Sequence, residues 1–168
     1  MDYTVIFMGT NNFAGYNINF TGDSDSWITC KNYHDDCIKE LPNTNYIILG
    51  LFNISQRIYN KPSSSEVTDE EILTQQVAYE NHMEETYTYH FVNIRRLFSS
   101  NKALDDAVRL GYLTAEKRAA YKAIDDEWMS KGCAAYSLMS YGSGDYTHPN
   151  LIGYKMIAYY VAQRIKNN

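Results

Sequence analysis

Amino-acid patterning predicts an α/β fold built on a parallel sheet. Short apolar, β-rich runs alternate with segments whose apolar residues repeat at helical spacing, the order expected when helices connect parallel strands. Residues 46–52 form a continuous apolar run, which is typical of a strand buried on both faces. The length of 168 residues suits one domain, and we predict a single domain over residues 1–168.

The first half of the chain is predicted to hold two strands and two helices. A run of Gly and Asn ends the first strand, Pro42 ends the first helix, and a capping box at Thr68 begins the second. The predicted elements are a strand at 3–8, a helix from Ser24 or Ser26 to about Glu40, a strand at 46–52, a polar loop at 53–67 and a helix from 68 to about 87.

The second half is predicted to be mainly helical. Gly111 and Gly132 follow two helical segments and indicate their ends. An apolar stripe after residue 150 predicts a closing amphipathic helix. The predicted elements are a strand at 91–94, helices at 102–110 and 114–131, a loop at 134–147 and the closing helix.

Composition excludes several classes of partner and cofactor. The formal net charge of −5 gives no electrostatic attraction to nucleic acid or to an anionic membrane, and no apolar stretch is long enough to span a bilayer. We predict a soluble protein without a secretory signal peptide. The three cysteines contain no CxxC pair, so neither a disulfide framework nor a zinc site is expected. No metal or organic cofactor is predicted.

The segment with the strongest chemical signal is Asp145-Tyr146-Thr147-His148-Pro149-Asn150. Pro149 favours an extended conformation at His148 and is well placed to start the closing helix. Asp145 can then reach the His148 imidazole. A carboxylate on one ring nitrogen leaves the other nitrogen free to act as a base toward a hydroxyl.

This segment, with the Gly-rich loop before it and Gly153-Tyr154 after it, resembles the last conserved block of the SGNH (GDSL-type) hydrolases. The resemblance implies that His148 is the general base and Asp145 its orienting acid in a Ser-His-Asp triad. It also implies a three-layer α/β/α, flavodoxin-like parallel sheet, here without the first strands of the SGNH fold.

The N-terminal strand and its Gly9-Thr10-Asn11-Asn12 ending are similar to a second block of the same family. The resemblance implies that Asn11 donates its side-chain amide to the oxyanion and that Gly9 allows the tight turn beneath it. Asn12 stands where the family has an aspartate.

The blocks that supply the family's nucleophilic serine and oxyanion-hole glycine should precede residue 9, and neither is found there. Gly22-Asp23-Ser24 offers Ser24 as a relocated nucleophile, although a turn and helix cap are the better explanation of that tripeptide. Three explanations stay open: a complementing N-terminal fragment, a homo-oligomer or other partner that completes the sheet, or a degenerate relative that binds without cleaving.

The resemblance therefore predicts an esterase acting on a small ester or an acetylated glycan through an acyl-enzyme, with its nucleophile outside this chain. The alternative is a catalytically inactive carbohydrate-binding or assembly module derived from an esterase. The 16 tyrosines suit a sugar-binding surface, but biased composition is the preferred explanation of their number.

Overall fold

The computed structural model describes residues 2–8, 25–50, 54, 55, 58 and 68–167. Within these residues the fold is mixed α/β, mostly helical, with one small sheet. The strands are β1 (Thr4–Ile6), β2 (Tyr46–Leu49) and β3 (Phe91–Val92). The helices are α1 (Asp25–Lys39), α2 (Asp69–Tyr87), α3 (Ile94–Phe98), α4 (Asn101–Arg109), α5 (Ala115–Ser130) and α6 (Leu151–Asn167).

The three described strands form a parallel sheet in the order β1-β2-β3. Ile6 pairs with Ile48, and Leu49 pairs with Val92. Because the strands are parallel, their carboxyl ends lie at one edge of the sheet, where α/β proteins commonly bind ligands. The predicted α/β class with a parallel sheet is confirmed.

Both faces of the sheet are packed against helices. Ile6, Ile48 and Phe91 form a cluster with Tyr79 and Met83 of α2. The alternate strand residues belong to the larger core with α4, α5 and α6; they are Ile47, Leu49 and Val92. This alternation explains why the sequence of β2 is apolar at consecutive positions.

Local signals set most helix ends as predicted. Thr68 and Glu71 form the expected capping box, in which the Thr68 side chain accepts from the Glu71 N–H and the Glu71 carboxylate accepts from the Thr68 N–H. Gly111 and Gly132, each with φ of +71°, follow α4 and α5 in the left-handed region that glycine favours.

Two predictions of local structure were wrong. The predicted loop at 53–67 contains helical residues at Ile54, Ser55 and Ile58, and all three are buried. The third strand ends at Val92 instead of Ile94, because the Asn93 side chain accepts a hydrogen bond from the Arg96 N–H and starts α3. In the described part of the chain, no helix combines the length and apolarity needed to cross a membrane.

Candidate functional site

The loop before α6 is closed by backbone hydrogen bonds. Met139 and Pro149 form an antiparallel bridge. The Ser140 N–H donates to the His148 carbonyl at 3.0 Å, and the Asn150 N–H donates to the Leu138 carbonyl at 3.0 Å. These bonds bring the two ends of the loop together and hold residues 145–148 at its exposed turn.

Asp145 and His148 form the pair that their spacing predicted. The His148 Nδ1 and Asp145 Oδ2 atoms are 2.9 Å apart, and Asp145 Oδ1 accepts from the backbone N–H groups of Thr147 at 2.8 Å and His148 at 3.1 Å. One carboxylate thus orients both the imidazole and the turn that carries it. Because an ionised carboxylate only accepts, Nδ1 donates to it, and Nε2 of the neutral ring keeps its lone pair.

The Asp145 carboxylate is held in its ionised form. Partial burial opposes ionisation, but the hydrogen bonds from Thr147 and from the ring and N–H of His148 outweigh it and lower the pKa of Asp145. The His148 side chain is 61% exposed, so its ring is accessible from solvent. The geometry therefore offers an oriented, accessible base next to a fixed negative charge.

A long-range hydrogen bond joins this loop to the segment that follows β2. The buried Ser55 hydroxyl donates to the Tyr146 carbonyl at 2.8 Å. Ser55 follows β2 by six residues, and the Gly50 N–H, just after β2, donates to the Val92 carbonyl of β3 at 2.8 Å. The turn that carries the Asp145–His148 pair is therefore anchored to the segment that follows β2.

Aromatic rings of the loop pack against Trp128 of α5. The ring of Trp128, on α5, stacks on Tyr141 with centroids 3.7 Å apart and an interplanar angle of 20°. The Tyr146 ring lies 5.9 Å from each of them. Stacked rings of this size are worth about 0.5–1.5 kcal/mol beyond the area they bury, so the loop rests on a rigid base.

The start of α6 differs from the prediction. Asn150, and not Pro149, initiates the helix, because its side-chain oxygen accepts from the N–H groups of Ile152 at 2.8 Å and Gly153 at 3.1 Å. Pro149 instead lies in the bridge to Met139. His148 still precedes the helix, as expected.

The other predicted site residues cannot be placed relative to this pair. Gly9, Asn11 and Ser24 lie outside the described residues. The oxyanion-hole and nucleophile assignments therefore remain predictions. Of the predicted site residues, the structure brings together Asp145 and His148.

Sequence reasoning missed two residues that shape the site. Asn150 carried a usable signal, since an asparagine directly before an apolar helical repeat is a typical helix cap. Ser55 carried none, because its partner is 91 residues away and its neighbours in sequence are polar.

In the described part of the chain, no group of three or more His, Cys, Asp or Glu side chains could hold a metal ion beside the pair.

Cys133 is buried, and this burial raises the pKa of its thiol to about 12. A thiol with so high a pKa is a poor nucleophile.

Comparison with known proteins found no match to this chain among family models, curated proteins or solved structures.

Proposed function

We propose that this chain is an SGNH-type serine esterase domain in which His148 is the general base and Asp145 its orienting acid. The observation that carries the proposal is the 2.9 Å contact between His148 Nδ1 and Asp145 Oδ2, in a loop that a hydrogen bond joins to Ser55, six residues after β2. The proposed architecture is the three-layer, flavodoxin-like form of the α/β class.

In the proposed reaction, a serine hydroxyl attacks the acyl carbon of a small or carbohydrate-linked ester, and His148 Nε2 takes the hydroxyl proton. His148 then returns that proton to the departing alcohol, which leaves an acyl-enzyme. Water hydrolyses the acyl-enzyme through the same base. Asp145 stabilises the imidazolium without taking its proton.

The proposed catalytic site also needs a nucleophile and oxyanion donors, and the residues assigned to these roles lie outside the described residues. Asn11 would donate its amide to the oxyanion, and Gly9 would allow the turn beneath it. The serine would come from a complementing fragment or a second copy, with Ser24 as the alternative within this chain. The exposed His148 ring is compatible with approach by either source.

The test is hydrolysis of p-nitrophenyl acetate and release of acetate from acetylated xylan. The wild type would be compared with His148→Ala and with His82→Ala, a control for unspecific imidazole chemistry. We expect His148→Ala to lose at least about a hundredfold in rate, the usual contribution of general-base catalysis, and His82→Ala to keep the wild-type rate.

Labelling with a fluorophosphonate and peptide mapping would then locate the nucleophile. A label on Ser24 that is lost in Ser24→Ala would place it in this chain, and a label on a co-purified chain would place it there. The same assays on protein tagged and isolated from its native host test the second case.

If the wild type is no faster than His148→Ala in both preparations, the esterase proposal is wrong. Saturable binding of acetylated xylan without turnover would then favour the inactive carbohydrate-binding module.

A further inference from the structure

A concave site lies away from the Asp145–His148 loop. It is a cavity of about 550 Å³ between α6, β3, α3 and the start of α4, within the range of small-ligand pockets. Its lining includes Lys102, Arg164, Val92, and the rings of Tyr89, Tyr159 and Tyr160. Among the described residues that line it, none is acidic.

The cavity is remote from the proposed esterase centre. Helix α6 begins next to His148 and rises about 1.5 Å per residue, which places Arg164 roughly 20 Å farther along the helix axis. Tyr89, just before β3, and Val92, its last residue, both line the cavity, so its separation from the loop rests on the distance along α6. A ligand here would not occupy the Asp145–His148 site.

The two α6 tyrosines that line the cavity, Tyr159 and Tyr160, are held in place by their hydroxyl groups. Tyr160 donates to Asp106 Oδ2 at 3.0 Å, and Arg109 donates to the Tyr159 hydroxyl at 2.9 Å. The Arg109 guanidinium also lies 5.7 Å from the centre of the Tyr159 ring. The rings therefore form a fixed wall and require little ordering when a ligand binds.

The charges next to this wall are predominantly positive. Asp106 is bound by Lys102 at 2.9 Å and by Arg109 at 2.9 Å, so two cations surround one carboxylate. Arg164 adds a third cation. Its half-buried side chain makes no hydrogen bond or ion pair with any residue that the structure describes.

We propose that this cavity binds a small anionic ligand whose negative group is attached to a ring. The negative group would pair with Arg164, whose planar guanidinium matches a carboxylate or phosphate through two hydrogen bonds, and would be attracted by Lys102. The ring would lie against Tyr159 and Tyr89. A hexuronic acid and a nucleoside monophosphate share this chemistry and fit the volume.

The experiment is a titration of the ¹⁵N-labelled chain, followed by amide chemical shifts. The probes are glucuronate and adenosine monophosphate, with glucose and adenosine as their neutral counterparts. The variant is Arg164→Gln and its matched control is Lys166→Gln, which removes the same charge from the exposed end of the same helix.

We expect at least one anion to shift the resonances of residues 159–164 saturably and its neutral counterpart to bind much more weakly. Loss of the charge-assisted hydrogen bonds should weaken binding to Arg164→Gln about tenfold or more, whereas Lys166→Gln should bind like the wild type. If adenosine monophosphate binds and glucuronate does not, the ligand is nucleotide-like. If glucuronate binds and adenosine monophosphate does not, the ligand is an acidic sugar.

Failure of both anions to bind overturns the proposal, as does equal affinity in Arg164→Gln and the wild type. Because Arg164 makes no hydrogen bond or ion pair with a described residue, Arg164→Gln should keep the wild-type melting temperature. Lys102→Gln provides a second variant, in which weaker anion binding is also expected. None of these results depends on esterase activity.

Discussion

At the scale of single residues, the ionisation of Asp145 is the most direct test of the loop. Because hydrogen bonds lower its pKa in the folded chain, we expect the carboxyl carbon to titrate below about 3.9, the value for an unfolded aspartate. Its stabilising effect should be fully present above that pH and be lost as the pH falls through the folded-state pKa. Carbon-13 NMR of the side chain measures the midpoint.

His148→Ala supplies the control for this titration. It removes the ring hydrogen bond but keeps the two backbone donors, so the midpoint should rise only part of the way toward 3.9. A wild-type midpoint at or above 3.9 would contradict the geometry of the pair.

Gly153 is required because the backbone of the preceding loop passes close to α6. A Cβ atom at this position would overlap the Leu138 carbonyl and lie 2.7 Å from the Pro149 side chain. We expect Gly153→Ala to lower the free energy of unfolding by about 1–3 kcal/mol, the usual effect of overpacking. Urea denaturation measures this change.

Leu151→Ala is the matched control for Gly153→Ala, since Leu151 is 70% exposed on the same helix. Its unfolding free energy should stay within about 0.5 kcal/mol of the wild type. If the two variants were equally stable, the close approach of Leu138 to α6 would be disproved.

At the scale of elements, a buried ion pair connects α2 to α3. Arg95 donates to both carboxylate oxygens of Glu80 and to the Gly132 carbonyl, and the Asn93 side chain donates to Glu80 at 3.0 Å. Removal of one partner leaves the other charge buried without compensation. We expect Arg95→Met to destabilise the fold by about 3–5 kcal/mol, measured by urea denaturation.

Arg96→Met tests whether burial is the cause. Arg96 pairs with Glu84 at 2.8 Å, but both side chains are partly exposed, at 48% and 38%. Solvent screening limits such pairs to about 0–1 kcal/mol. Similar losses in the two variants would show that the neighbouring arginine contributes as much as the buried one.

The elements that were predicted correctly are those set by short-range chemistry. The capping box at Thr68 and the glycines at 111 and 132 act on their own turn of the chain, so the sequence displays them directly. The Asp145–His148 pair belongs to the same class, because three residues separate its members.

Two kinds of feature were not predicted from the sequence. In one, two local signals compete for the same residues; in the other, residues distant in sequence pack together. Asn93 ended β3 early by capping α3, in competition with an apolar run that favoured a longer strand. The spacing of Ile54 and Ile58 is helical, but two apolar residues are too few to outweigh a polar segment. The cavity beside Arg164 is lined by residues of α3, α4, α6 and β3, so its existence depends on how these elements pack.

At the scale of the whole molecule, the rate at which a thiol reagent modifies Cys133 measures how often the whole chain unfolds. It is buried in the larger core, and its thiol pKa of about 12 leaves little thiolate near neutral pH. In a Cys30→Ser/Cys37→Ser variant, we expect a disulfide reagent such as DTNB to modify Cys133 only as fast as the chain unfolds. Absorbance of the released thiolate at increasing urea concentrations measures the rate.

The control is a Cys30→Ser/Cys133→Ser variant, which keeps the half-buried Cys37. Cys37 should react without denaturant. Rapid labelling of Cys133 in the native state would show that the core opens locally around α5.

The bond between Ser55 and Tyr146 also determines when the candidate site can form. Tyr146 lies 91 residues after Ser55, so the ribosome adds Tyr146 long after Ser55 has been synthesised. Contacts so distant in sequence slow folding, since the entropy of closing a long loop is lost before the contact is gained. We therefore expect the Asp145–His148 turn to reach its final position late, after β2 and β3 have paired, so that nascent chains would hold the residues of the site before they hold its geometry.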